Sequence, residues 1–225
     1  MSGQGIATDA HANAGAAIHG LYAITPELEN TAELLRLVAA ALRGGASVVQ
    51  YRAKQADAPL RREQAQALNA LCAEFSVPLI VNDDWRLALE VGAAGVHIGG
   101  DDGDPAAVRA AIGPGKILGV SCYSRLELAK RVIGVADYVA FGSVFPSNTK
   151  PDAVRADLKL FREARRRGWR SVAIGGIDGD NAGAVIAAGA DAVAVITAVF
   201  AALDVAGAAR GIAARFGARP VVIRP

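Results

Sequence analysis

The feature that most constrains the fold is a regular alternation of short apolar runs with longer stretches of helical periodicity. Eight runs rich in Val and Ile occur along the chain. Each is followed by an Ala-, Leu- and Arg-rich stretch whose apolar residues recur every three or four positions. The predicted strands are Leu21–Thr25, Ser47–Arg52, Pro78–Asn82, Gly95–Gly99, Ile117–Ser121, Tyr138–Phe145, Ser171–Ile177 and Ala192–Thr197. The predicted helices are Thr31–Arg43, Pro59–Phe75, Trp85–Val91, Pro105–Ile112, Arg125–Ile133, Val154–Arg167, Asp180–Ala188 and Ala201 to about Phe216.

This alternation predicts a single (β/α)₈ TIM barrel. Strands that are apolar throughout are buried on both faces, as in a parallel sheet covered by helices. An open doubly wound sheet is the alternative, but the G-x-G-x-x-G motif that would favour it is absent before the first helix. A length of 225 residues suits one such domain. We expect a flexible lead-in over residues 1–20, the barrel over 21–218 and a tail over 219–225.

Composition excludes several classes of protein. The net charge is +2, and the densest cluster of cations is best interpreted as the solvated face of a helix, not as a nucleic-acid surface. That cluster comprises Arg162, Arg165, Arg166, Arg167 and Arg170. The sequence has no apolar run of about 18 residues, as a membrane span requires, and residues 1–20 lack the segments of a signal peptide. Two widely spaced cysteines, Cys72 and Cys122, indicate reduced thiols and a cytoplasmic location.

In a barrel of this kind the active site lies at the carboxyl ends of the strands. The second predicted strand runs into Gln50–Lys54, and residues 50, 52 and 54 share one face because side chains alternate along a strand. Arg offers a bidentate fork to phosphate, and Lys offers a point charge. We therefore expect a phosphate-binding group at this strand end.

Acidic residues follow the third and fourth strands. Asp84 is expected to cap the helix that begins at Trp85. Asp83 and Asp102 follow neighbouring strands and are predicted to share one Mg²⁺, which binds one or two carboxylates together with substrate phosphate oxygens. His97, inside the fourth strand, is expected to be a core or supporting side chain rather than a catalytic one.

The remaining strand ends carry mostly neutral donors. Ser121 is interpreted as a phosphate-binding hydroxyl, since no nucleophile elbow surrounds it. Phe145–Lys150 is a hydroxyl-rich turn closed by a cation, which makes it a candidate anion clamp. Gly175–Gly176 and Ile196–Thr197 lie where barrels often bind phosphate.

Taken together, seven segments resemble thiamine phosphate synthases and occur in that family's order from Leu21 to about Ala202. They are Gln50–Lys54, Val81–Asp84, Gly95–Gly99, Ile117–Ser121, Phe141–Lys150, Ala173–Ile177 and Val195–Thr197.

The resemblance implies a transferase that joins 4-amino-2-methyl-5-hydroxymethylpyrimidine diphosphate to a thiazole phosphate or its carboxylated form. The products are thiamine phosphate and diphosphate. The implied pyrimidine diphosphate contacts are Gln50, Tyr51, Arg52, Ala53, Lys54, Asn82, Ser121 and Lys150. Of these, the implied catalytic residues are Arg52, Lys54, Ser121 and Lys150. The implied thiazole phosphate contacts are Ser147, Asn148, Thr149, Gly176, Ile196 and Thr197, and the Mg²⁺ ligands are Asp83 and Asp102.

The sequence departs from the family pattern at three places. Gly100 and Asp101 stand where Gln and Glu are expected, Ser147 replaces a common Thr, and Cys122–Tyr123 replaces Ala or Thr followed by His. None of these changes removes a group assigned to metal or phosphate. Gly100 leaves one contact to the pyrimidine open.

Two other functions stay open at this point. A thiazole tautomerase resembles the same barrel but needs an acid–base residue, and Tyr123 stands where its His is expected. A barrel that only binds thiamine phosphate is the second alternative. The expected partners are small molecules, with neither nucleic acid nor membrane, and the sequence leaves open whether the chain forms a homo-oligomer.

Overall fold

The eight apolar runs form eight parallel β-strands in a computed structural model, which describes residues 16–99, 103–146 and 154–217. The strands are β1 (Gly20–Ile24), β2 (Ala46–Tyr51), β3 (Leu79–Asn82), β4 (Gly95–Ile98), β5 (Ile117–Tyr123), β6 (Tyr138–Gly142), β7 (Ser171–Ile174) and β8 (Ala192–Val195). Each pairs with the next along the chain, and β8 pairs with β1. This closure confirms the (β/α)₈ barrel and excludes the open sheet.

Helices connect the strands on the outside of the barrel. They are α1 (Thr31–Arg43), α2 (Ala58–Glu74), α3 (Trp85–Glu90), α4 (Pro105–Ile112), α5 (Leu126–Val132), α6 (Lys159–Arg166), α7 (Ala182–Ala188), α8 (Thr197–Phe200) and α9 (Val205–Ala213), followed by a 3₁₀ turn (Ala214–Phe216). Asp57, Asp84 and Asp104 begin their helices by accepting a hydrogen bond from a backbone N–H of the first turn, so the predicted cap at Asp84 is confirmed. No helix in the described ranges has the length and apolarity to cross a membrane.

The sequence places the ends of three strands later than the structure does. The runs were extended to Phe145, Ile177 and Thr197, whereas β6, β7 and β8 end earlier. Val144 and Ile177 are 7% and 4% exposed although they lie in loops. Apolar residues therefore continue into buried loops, and periodicity alone does not mark where hydrogen-bonded pairing stops.

Two helical predictions also change. The segment predicted as a helix from Val154 becomes helical only at Lys159, and the last helix begins at Val205 instead of Ala201. The short helix α8 was not predicted, because its residues were assigned partly to the last strand. The arginine-rich face of α6 is exposed and pairs internally, with Arg166 and Arg167 both bonded to Glu163. This agrees with its interpretation as a solvated surface.

The apolar residues divide into two layers. One lies between the strands and the helices, and the other fills the barrel interior. The interior layer contains Tyr22 and Tyr138, which are 1% and 0% exposed, among small aliphatic side chains. Ile18, fully buried before β1, packs against this interior layer. The packed part of the chain thus begins slightly before the predicted boundary at residue 21.

Two ion pairs hold acidic residues in the loops that precede strands, and the pair at Asp137 is the more buried of the two. The Asp137 side chain, 1% exposed, accepts hydrogen bonds from Arg109 Nη2 at 2.5 Å and from the backbone N–H of Leu118 at 2.7 Å. Asp191, before β8, bonds Arg170 and the backbone N–H of Ser171 in the same way. This amino-terminal end of a barrel serves stability, which leaves the opposite end for chemistry.

Candidate functional site

The carboxyl end of β2 is held against the end of β1. The Thr25 hydroxyl, 2% exposed, accepts a hydrogen bond from the backbone N–H of Arg52 at 2.9 Å and donates to the Arg52 carbonyl at 3.4 Å. This bond fixes the backbone where the strand gives way to the loop that carries Ala53 and Lys54. The cationic side chains therefore project from an anchored turn.

Gln50 and Tyr51 point in opposite directions, as alternation along a strand requires. Gln50, 4% exposed, lies inside the barrel and donates from Nε2 to the Tyr22 hydroxyl at 2.9 Å. Tyr51 faces the helical layer and donates to Gln64 Oε1 on α2 at 2.8 Å. Burial raises the pKa of Tyr51 to about 12, so its hydroxyl stays protonated and neutral. Among these two neighbours, only Gln50 presents its side chain to the barrel interior.

Lys54, Asn82 and Asp83 come together at the ends of β2 and β3. Asp83 Oδ2 accepts a hydrogen bond from Asn82 Nδ2 at 2.6 Å and lies 3.6 Å from Lys54 Nζ. Both contacts engage the same oxygen, and Asp83 is partly exposed. A carboxylate oxygen thus faces an accessible space beside a cation and an amide.

The backbone of Asp83 takes up an uncommon conformation that turns the chain after β3. Its φ is 63°, in the left-handed region that a non-glycine residue seldom occupies. Its N–H donates to the His97 carbonyl at 2.8 Å, which ties the turn to β4. This conformation costs free energy and persists only where the surrounding structure stabilises it. Residues that adopt it are often found at functional sites.

A cavity of about 220 Å³ opens beside these residues, at the rim between the strand ends and helices α2 and α3. Its lining includes Lys54, Asn82 and Asp83 together with Arg61 of α2. Arg61 Nη1 lies 3.9 Å from Asp84 Oδ2, and its buried Nε has no hydrogen-bond partner within the described residues. The sequence prediction missed Arg61, because its helical position gives no sign that α2 leans over the end of β3.

Ser121 ends a chain of hydrogen bonds that crosses the barrel interior. Its Oγ lies 2.9 Å from His97 Nε2, and His97 Nδ1 lies 2.9 Å from the Tyr138 hydroxyl. Tyr138 bonds the Tyr22 hydroxyl at 2.9 Å, and Tyr22 accepts from Gln50. Five polar side chains from β1, β2, β4, β5 and β6 therefore form one connected network.

Burial determines the ionisation of this network. It lowers the pKa of His97 to about 4, which leaves the ring neutral at physiological pH. Burial likewise raises the pKa of Tyr22 and of Tyr138, so both hydroxyls keep their protons. The supporting role predicted for His97 fits its position between Tyr138 and Ser121. The two tyrosines were missed, although a tyrosine in an aliphatic strand signals a buried partner for its hydroxyl.

The ends of β7 and β8 present mainly backbone groups. Gly176 has φ 66° and packs so closely that a Cβ there would lie 2.3 Å from the Pro146 carbonyl oxygen. The loop after β6 thus approaches the loop after β7 directly. Ile196 is partly buried, and the exposed Thr197 opens α8. This side offers donors of little charge, in contrast to the β2–β3 side.

Several predicted site residues lie outside the described residues. They are Asp102, Ser147, Asn148, Thr149 and Lys150. Within the described ranges no group of three or more His, Cys, Asp or Glu side chains converges as a metal cluster.

Both cysteines are buried free thiols, at 1% and 0% exposure. Burial raises the pKa of Cys72 and of Cys122 to about 12, so neither forms a thiolate near neutral pH. Cys122 follows Ser121 on β5 but points to the opposite face. It is therefore a buried free thiol, in agreement with the reduced thiols that the sequence predicts.

The chain matches known proteins over most of its length. Residues 21–199 match the family described as thiamine monophosphate synthase. The chain is 55% identical over 194 residues to the thiamine-phosphate synthase of Methylobacillus flagellatus, across 86% of this chain and 93% of the relative. It is 52% identical over 203 residues to that of Chromobacterium violaceum, across 90% and 98% of the two chains.

A solved structure gives the same result. Thiamine phosphate pyrophosphorylase from Pyrococcus furiosus superposes with a TM-score of 0.77 at 35% identity, over 88% of this chain and 95% of the other. A structure of 3-hexulose-6-phosphate synthase, at 20% identity and a TM-score of 0.65, shares the barrel fold. Because the family match over residues 21–199, the relatives at 55% and 52% identity and the superposable enzyme all agree, the chain belongs to the thiamine monophosphate synthase family and is a transferase.

Proposed function

We propose that the chain condenses hydroxymethylpyrimidine diphosphate with thiazole phosphate to give thiamine phosphate and diphosphate. One observation carries the proposal: Lys54 and Asp83 meet at 3.6 Å beside Asn82, at the edge of a cavity at the carboxyl ends of β2 and β3. A diphosphate with a bound divalent cation needs both a positive side chain and a carboxylate at one place. The alternatives, a tautomerase or a binding barrel, are not favoured by the relatives.

The Asp83 carboxylate fits a magnesium ligand. It supplies hard oxygen donors, it is partly exposed, and its Oδ1 makes no hydrogen bond within the described part of the chain. Mg²⁺ commonly binds through one or two carboxylates, with water and phosphate oxygens completing the shell. Asp83, with Asp102 as its predicted partner, would hold the ion, which when bound would neutralise charge on the diphosphate.

The reaction is a displacement with a dissociative course. The bond between the methylene carbon and the diphosphate oxygen breaks, and its electron pair leaves with the diphosphate. Arg52, Lys54 and Lys150 stabilise the negative charge that develops on this leaving group. The aminopyrimidine delocalises the positive charge of the methylene carbon. The lone pair of the thiazole nitrogen then forms the new carbon–nitrogen bond, and no proton is removed.

The second phosphate is assigned to the neutral side of the site. Gly176, Ile196 and Thr197 would approach it with backbone N–H groups and one hydroxyl, together with Ser147, Asn148 and Thr149. Exposed N–H groups at such a loop favour an anion without adding charge. Separation of a charged side from a neutral side would keep the two substrates in their own subsites. Alignment of the two rings would supply much of the rate enhancement that leaving-group stabilisation does not provide.

Small-molecule substrates match the family. A cytoplasmic location stays a prediction, and the sequence leaves the oligomeric state open. The decisive test mixes both substrates with Mg²⁺ and measures released diphosphate, with and without a chelator. Release that requires both rings and Mg²⁺ supports the proposal. Binding of thiamine phosphate without any release would instead support the binding barrel.

Asp83→Ala tests the metal assignment. We expect turnover at millimolar Mg²⁺ to fall on the order of 10²- to 10³-fold, since stabilisation of the leaving group is lost. Circular dichroism should show an unchanged fold. Glu127→Ala is the matched control, because Glu127 also pairs with a lysine, Lys130 at 2.6 Å, but lies exposed on α5. Turnover of Asp83→Ala close to that of this control would overturn the assignment.

A further inference from the structure

The hydrogen-bond network inside the barrel has a direction. Gln50 donates to the Tyr22 oxygen, so the single proton of Tyr22 is left for the Tyr138 oxygen. Tyr138 then has its own proton to donate to His97 Nδ1 at 2.9 Å. A nitrogen that accepts carries no proton, and a neutral imidazole has only one, which therefore lies on Nε2.

The end of the network lies at Ser121. His97 Nε2–H donates to Ser121 Oγ at 2.9 Å, so one lone pair of the hydroxyl is occupied. The Ser121 O–H therefore does not donate to any other side chain of the network. Ser121 is partly exposed at the end of β5, whereas His97 is 8% exposed and Tyr138 is fully buried. Ser121 can therefore donate this proton to a group at the open end of the barrel.

The packing around His97 holds this arrangement. The His97 and Tyr138 rings stack with centroids 5.5 Å apart and an angle of 26° between their planes. Both ring nitrogens contact uncharged hydroxyl groups, so a second proton on the buried ring would have no counter-ion there. The ring orientation and its tautomer are therefore both set by the barrel interior.

We propose that Tyr138 and His97 are positioning residues that make Ser121 a hydrogen-bond donor toward the pyrimidine diphosphate. Tyr138 donates to His97 Nδ1 and so favours the His97 tautomer that is protonated at Nε2. Because this tautomer donates to Ser121, Ser121 does not donate its own proton to His97. The contact between Ser121 and this substrate rests on the proposed function. The tautomer and its cause rest only on the network.

The first test observes the tautomer without substrate. In long-range proton–nitrogen spectra of the ¹⁵N-labelled protein, His97 is identified by its absence from His97→Gln. We expect Nδ1 to be the unprotonated nitrogen in the wild type and in Tyr22→Phe, the matched control that also loses a buried hydroxyl. Tyr138→Phe should show a mixture or the opposite tautomer. Protonation at Nδ1 in the wild type, or no change in Tyr138→Phe, would overturn the proposal.

The second test measures coupling in the diphosphate-release assay. Tyr138→Phe and Ser121→Ala should each lower kcat by about 10- to 100-fold, the rate equivalent of one buried hydrogen bond. The double variant should be no slower than Ser121→Ala, because both changes remove the same donor. Multiplicative losses would contradict the proposal and indicate a purely structural role for Tyr138.

A conservative variant covers the case in which Tyr138→Phe fails to fold. His97→Gln keeps an N–H that reaches Ser121, so we expect it to retain most of kcat, whereas His97→Leu should match Ser121→Ala. Equal losses in the two variants would refute the role of His97. If even the wild type releases no diphosphate, the proposed function fails, while the tautomer measurement still decides the network.

Discussion

Gly119 faces the barrel interior directly beside the ring of Tyr138, which makes Gly119→Ala a sharp test of the interior packing. A Cβ at this position would lie 2.1 Å from Tyr138 Cζ and 2.3 Å from its hydroxyl oxygen. Non-bonded carbon atoms require about 3.5–4.0 Å, so the ring must retreat by about 1.4 Å or more. Tyr138 is 0% exposed, so the ring can retreat only by displacing its buried neighbours.

The displacement has a calculable cost. Tyr138 bonds both Tyr22 and His97 at 2.9 Å, and a shift of this size takes at least one of these bonds beyond hydrogen-bonding distance. Overpacking costs about 1–3 kcal/mol, and one buried polar group left without a partner costs about 1–3 kcal/mol more. We expect the free energy of unfolding to fall by about 2–6 kcal/mol.

Urea unfolding followed by far-ultraviolet circular dichroism measures this change. Gly211→Ala is the matched control, because a Cβ there meets nothing within 4 Å and the residue lies in α9. In a helix interior that substitution should stabilise by up to about 1 kcal/mol. In a Tyr138→Leu background the effect of Gly119→Ala should shrink, since the clashing atoms are gone. A free energy for Gly119→Ala within about 0.5 kcal/mol of wild type would refute the reasoning.

Two further predictions concern buried charge. His97 has a pKa of about 4 in the fold against 6.5 when unfolded, so only the unfolded state binds this proton between those values. The wild type should thus lose about 3 kcal/mol as pH falls from 6.5 toward 4, relative to His97→Gln measured by urea unfolding at each pH. Asp137→Ala should cost about 3–5 kcal/mol, because the nearly buried Arg109 guanidinium keeps its backbone carbonyl acceptors but loses its counter-charge. Glu127→Ala at an exposed pair should cost below about 1 kcal/mol in the same assay. A cost for Asp137→Ala as small as that control would contradict the account of the buried pair.

Much of the fold follows from the sequence because its signals are local. The eight apolar runs are spaced widely enough to leave room for a helix after each one, which suits parallel strands. The helices α1 and α4 begin and end at the predicted residues. The errors at the strand ends and at α8 have one physical origin. The helix α8 and the ends of β6 to β8 depend on which buried backbone finds a partner strand, and apolarity alone carries no such information.

The candidate site shows the same division. Polar residues at strand ends, such as Lys54 and Asp83, could be predicted to lie close together because the carboxyl ends of barrel strands meet at one rim. The sequence also assigned a cap to Asp84, which depends only on the next few residues. Arg61 was not predicted from the sequence, because whether an arginine on a helix reaches the cavity depends on how α2 packs over β3.

By itself the sequence determined the barrel class, the family pattern and the polar strand ends, all of which depend on periodicity or on neighbours in the chain. Only the tertiary structure decided which of these groups meet. Tyr22 and Tyr138 are 116 positions apart and bond at 2.9 Å because closure of the barrel brings β1 and β6 to face each other across its interior. A buried hydroxyl must find a partner, but the chain's linear order does not say which one. The direction of the network, and with it the donor role inferred for Ser121, is a property of the closed barrel.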